Sequence, residues 1–173
     1  MKRDLQTSYL LCGSAVVLAL LASNAAFADE TRWRFFDQKG RALLAITDTD
    51  EATDAIGSPS FDCAAGSDRV EVRGDANKAL RRAIAGMISA DQYPKVNVVP
   101  FEKESFVVLS VSYSEISGWQ YGFELSASSP QFEQFKRTGM LEFKVASTAV
   151  REGARVGLEA AAQFQAYCRT QAK

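Results

Sequence analysis

Four glutamates are the side chains best suited to acid–base chemistry. Glu102, Glu104, Glu115 and Glu124 fall on or beside neighbouring strand-like segments, and two carboxylates flanking a glycosidic bond can act as acid and base or as acid and nucleophile. Exposed-face glutamates are common and the spacing fixes no distance between carboxyls, so no catalytic residue is assigned. Lys103 and Ser105 share a strand face without the surroundings of a Ser-Lys hydrolase. The chain has no histidine, which excludes Ser-His-Asp and Cys-His catalysis, His-based zinc and copper sites and an imidazole pH switch.

Asp48, Asp50, Glu51 and Asp54 gather in one polar stretch. A helix–loop–helix calcium loop counted from Asp48 needs Gly at its sixth position and Glu at its twelfth; the chain has Thr53 and Pro59. A solvated acidic loop over 48–58 is the better reading, and no metal or cofactor is expected. Trp33, Trp119, Tyr121 and Phe123 could form a platform for sugar or lipid, but aromatic residues at alternating strand positions usually pack inward. Trp119, at a strand start beside Gly118, is the one expected to be partly exposed and is the candidate binding aromatic. Lys78, Arg81 and Arg82 form the densest basic cluster and read as a solvated helix face.

The elements that position these residues follow from periodicity. Thr31–Gln38 and Arg41–Thr47 alternate around Lys39-Gly40 and predict a hairpin. Phe61-Asp62-Cys63 and Arg69–Arg73 alternate as half-buried strands. Ala79, Leu80, Ala83, Ile84 and Met87 recur at helical spacing over Ala76–Ser89, with Asp75 as the expected N-cap. Val96–Phe101, Glu104–Ser112 and Trp119–Ser126 predict further strands, the second of them central because it is rich in β-branched residues. Ser129-Pro130 opens a short helix to Arg137, Met140–Ala146 alternates again, and Gly157–Arg169 is helical. With about seven strands, two or three helices and no βαβ alternation, the expected class is α+β: a mostly antiparallel sheet or sandwich with a C-terminal helix.

The first 28 residues have the order of a secretory signal: Lys2 and Arg3, an apolar run from Tyr9 to Leu21, and Ala26 and Ala28 before a cleavage point at Ala28/Asp29. The apolar run is shorter than the ~20 residues of a membrane span, so no span is expected after cleavage. Cys12 lies inside this run after Leu11 and leaves with it. The remainder, 29–173, suits one β-rich domain. Loss of Lys2, Arg3 and Asp4 removes one net positive charge from a total of −1, and a slightly acidic chain lacks the footprint of a nucleic-acid binder. The two remaining cysteines, Cys63 and Cys168, in an exported chain predict one disulfide, which would staple the last helix to a strand.

An export leader, an early Trp, a Phe-x-Cys strand (Phe61 to Cys63) and a last helix ending Phe-x-x-x-Cys (Phe164 to Cys168) resemble small periplasmic proteins of alphaproteobacteria. More remotely, residues 30–170 are similar to invasion-associated locus B proteins and to the VasI/TagO accessory proteins of type VI secretion. That resemblance implies a β-rich exported domain with a late apolar helix and carries no functional residue. The expected function is a non-enzymatic binding or accessory protein of the periplasm or secreted space, with another envelope or secreted protein as partner. Its rivals are a carboxylate-based envelope hydrolase and an inhibitor of a secreted hydrolase. Exported protein should begin at Asp29 by intact mass; an envelope species retaining Met1 would refute this.

Overall fold

The computed structural model describes residues 31–52, 57–101, 107–116 and 118–170. The leader with Ala28 and Asp29, together with Asp54, Glu102, Lys103, Glu104 and Ser105, lies outside them.

Alternating side chains set the main sheet. Strands β1 (Arg32–Asp37), β2 (Arg41–Thr47), β3 (Ser60–Ala64) and β4 (Arg69–Asp75) are consecutive antiparallel neighbours. The chain then forms α1 (Lys78–Ser89), β5 (Lys95–Val98), β6 (Val107–Val108), β7 (Ser110–Ser114) and β8 (Gly118–Ser126). It ends with α2 (Pro130–Thr138), β9 (Met140–Val145), β10 (Thr148–Gly153) and α3 (Leu158–Arg169). The six-stranded sheet runs β1-β2-β3-β4-β8-β7, and a four-stranded sheet runs β10-β9-β5-β6. The class is α+β, mostly antiparallel sheet. No helix among the described residues is long and apolar enough to cross a membrane.

The register puts Phe35, Leu44, Phe61, Val72 and Phe123 in one row across the large sheet; Phe35 is half-buried and the other four are buried, as is Trp33 on the same face of β1. Phe61 lies 5.5 Å from Trp33, 4.4 Å from Phe135 and 6.4 Å from Phe164, centroid to centroid. Helices α2 and α3 therefore close over β1–β3 through one aromatic cluster. Further along the same face, Phe143 of the small sheet meets Tyr121 and Phe123 at 5.2 and 5.4 Å. The opposite face of the large sheet carries charged side chains, with Arg69 paired to Glu124, Arg73 to Glu71, and Arg41 to Asp62.

The disulfide Cys63–Cys168 spans 105 residues and ties α3 to β3. In the chain-entropy model such a loop is worth roughly 4–5 kcal/mol. The Asp68 N–H donates to the Cys168 carbonyl at 2.9 Å and the Gly66 N–H to the Tyr167 carbonyl at 3.2 Å, so the β3–β4 turn takes up α3's terminal acceptors. Gln165, buried in α3, donates to the Ala127 carbonyl and to Glu133 and accepts from Lys136, which fastens α3 to α2.

Two sequence expectations are corrected. Glu104–Ser112 is not a central strand: its described part divides into β6 and β7, each an edge strand of a different sheet. Leu109 is the crossing point, buried and donating its N–H to the Pro94 carbonyl at 3.0 Å, while Val108 is left 72% exposed. β-branched content reports strand propensity but not position within a sheet. Nor does Asp75 cap α1, because it is still paired within β4; Asn77 does so, its Oδ1 accepting from the Ala79 and Leu80 N–H groups at 3.0 Å. Phe164→Ala should cost about 3–5 kcal/mol, whereas Gln163→Ala, one residue away and exposed, should stay within ~0.5 kcal/mol of wild type. Urea midpoints decide it, and equal midpoints would refute this packing.

Candidate functional site

Helix α1 has a buried apolar stripe and a second, exposed stripe that mixes cations with apolar residues. Leu80 and Ile84 are buried, with Ala83 and Met87 half-buried beside them. The second stripe, from Lys78 through Arg81, Arg82 and Ala85 to Ile88, forms one wall of an open groove of about 750 Å³. Val111 of β7 and Trp119 of β8 form the other wall, and Ile84 contributes to its floor. From Lys78 to Ile88 the wall runs about 15 Å at 1.5 Å per residue.

The hairpin fixes Trp119 against this helix. Gly118 takes φ +72, a conformation glycine adopts without steric cost, and leads into β8. The Trp119 carbonyl then accepts from the Ala76 N–H at 2.8 Å, tying the start of β8 to the approach to α1. Tyr113 stands opposite Trp119 in the β7–β8 register, with ring centroids 5.3 Å apart. Trp119 is 43% exposed and Tyr113 62%, in contrast to Trp33, Tyr121 and Phe123, which are core residues.

Lys78, Arg81 and Arg82 are exposed, and among the described residues none has a carboxylate within ion-pair distance. Those of the other sequence candidates that lie among the described residues do not converge. Asp50 is paired with Arg34, whose guanidinium also donates to the Asp48 carbonyl. Glu115 lies at the β7–β8 turn, and Glu124 is six residues along β8 from Gly118, roughly 20 Å at 3.4 Å per residue, where Arg69 holds it bidentately. That span exceeds the ~9.5 Å upper separation of a glycosidase pair. Sequence reasoning found Trp119 and the basic cluster separately. It missed Tyr113 and Ile88, whose signals were the cross-strand position opposite Trp119 and a place ten residues after Lys78.

A second polar centre lies between the sheets. The Tyr121 phenol donates to Glu152 at 2.7 Å. Burial first, then the Glu152 carboxylate, pushes the phenol far above its ordinary range. Burial raises the Glu152 carboxyl, nearby Asp75 adds to that, and the Tyr121 hydrogen bond opposes both. Gly74 packs directly on this phenol, since a Cβ there would fall 2.4 Å from its oxygen. The pair links β8 to β10. No known protein family, curated protein or solved structure matches this chain.

The folded state holds the Glu152 proton to higher pH than the unfolded chain does. The stability this gives is fully present below the unfolded value near 4.5 and is lost as pH rises through the raised folded value. Glu152→Gln keeps an acceptor for Tyr121 and removes the charge. It should raise the melting temperature at pH 7 by a few degrees and leave it unchanged near pH 4. A variant less stable than wild type in a pH 7 thermal melt would refute this.

Proposed function

We propose that this chain is an exported, non-enzymatic binding protein that captures an acidic, partly apolar segment of another envelope or secreted protein in the groove between α1 and the β7–β8 hairpin. One observation carries the reading: Trp119 and three cations without carboxylate partners among the described residues line the same groove. Export is supported by the leader's residue order and by the Cys63–Cys168 bond, since disulfides persist in oxidising compartments.

Magnitudes assign the roles. Exposed ion pairs are worth about 0.2–1 kcal/mol each, so Lys78, Arg81 and Arg82 select for negative charge and speed encounter more than they hold a ligand. Covering exposed apolar side chains such as Trp119 and Ile88 contributes up to about 1.5–3 kcal/mol apiece, and tryptophan is a frequent anchor of interfaces. The ammonium of Lys78 and the guanidinium groups of Arg81 and Arg82 suit recognition of carboxylates.

The test uses 8-anilino-1-naphthalenesulfonate, an apolar aromatic body with one negative charge. Wild type should bind one equivalent at the groove. Trp119→Ala and Arg81→Glu should each weaken binding at least tenfold, and high salt should weaken it in wild type. Binding unaffected by either substitution would overturn the reading.

A further inference from the structure

We infer that the groove's ligand is an extended acidic segment that binds as an added strand along β7; this rests on the binding role proposed above. β7 is an edge strand with β8 on one side, and no strand among the described residues pairs with its other side. An edge strand leaves alternate backbone N–H and C=O groups unpaired, and proteins ordinarily guard such an edge with lysine, proline, a bulge or a covering element. β7 reads Ser-Val-Ser-Tyr-Ser and pairs with β8 without interruption from Ser110↔Gly122 to Ser114↔Gly118. It therefore carries neither a charge nor a proline, and no bulge in its pairing.

The edge adjoins the groove. Val111 lines the groove wall, and Tyr113 shares its strand face and packs at a tilt against Trp119. A strand added to β7 would lie about 4.8 Å away and turn every second side chain toward the groove face, at ~6.8 Å intervals. Lys78 and Arg82 are one helical turn apart, about 6 Å, so alternating acidic residues match the cation spacing. Five residues of β7 extend about 17 Å, close to the ~15 Å length of the groove wall. The backbone edge favours a polypeptide, because a lipid or sugar offers no ladder to pair with it. Charge disfavours a second copy of this chain, since edge-to-edge pairing of β7 would bring two sets of Lys78, Arg81 and Arg82 together.

The probe is an acetylated, amidated hexapeptide of alternating glutamate and valine, titrated into the mature protein by calorimetry and by Trp119 fluorescence, with hydrogen exchange read at β7. The peptide should bind and protect β7 amides. A version N-methylated at alternate amides should bind at least tenfold more weakly, and a lysine–valine version should not bind. Equal binding of the N-methylated peptide, or binding without protection of β7, would overturn strand addition while leaving the groove as a binding site. Failure of the hexapeptide in a protein that binds the naphthalenesulfonate would overturn strand addition alone; failure of both probes would overturn both readings. A concentration-dependent dimer in sedimentation that protects β7 without peptide would assign the edge to a second copy and overturn the acidic partner.

Discussion

The indole N–H of Trp33 is the interaction on which the rest of the structure depends. It is buried and donates to two carbonyls at once, Gly139 at 3.0 Å and Ala154 at 2.9 Å. These belong to the turn between α2 and β9 and to the connection from β10 to α3. A buried indole without an acceptor would carry a desolvation cost, so the ring holds both connections against β1. Gly139 closes α2 in the left-handed region at φ +66, and a Cβ there would meet the Ala154 oxygen at 1.9 Å. The close approach of these two segments thus needs glycine for both conformation and space.

Around that point the aromatic cluster decides how the layers stack. Phe61 touches rings from β1, α2 and α3, and the disulfide two residues further along β3 fixes the end of α3 in the same place. At the other end of the sheet, Tyr121, Phe123 and Phe143 join the two sheets, and the Tyr121–Glu152 hydrogen bond satisfies the buried phenol. The helical cover lies over one end and the small sheet over the other. The β7–β8 hairpin therefore projects a partly exposed aromatic pair beside α1.

Charge is distributed unevenly over this frame. On the outer face of the large sheet, arginines and carboxylates neutralise one another in pairs. In the groove, three cations on α1 stand beside apolar surface without such partners among the described residues. Exposed pairs add little stability, so the difference matters for recognition more than for folding: the paired face presents little net field, and the groove presents a positive one.

Strand and helix periods were legible in the sequence. Alternation through Trp33 and Phe35, through Val70 and Val72, and through Leu141 and Phe143 marked strands with a buried face, and the three-and-four spacing of Leu158, Ala161 and Phe164 marked α3. The parity of cysteines pointed to the Cys63–Cys168 bond. Ser129-Pro130 located the start of α2 because local backbone chemistry sets helix starts. β10 escaped notice because only Val150 of its six residues is buried, too little for alternation to register. The order of strands, the division of Val107–Ser114 between two sheets, and the meeting of Trp119 with Lys78, Arg81 and Arg82 were decided by tertiary structure. Periodicity states which face of an element is buried but not which element covers it, and the groove exists only because α1 (ending at Ser89) and the β7–β8 hairpin (starting at Ser110), separate along the chain, are brought side by side by a core to which neither contributes its exposed face.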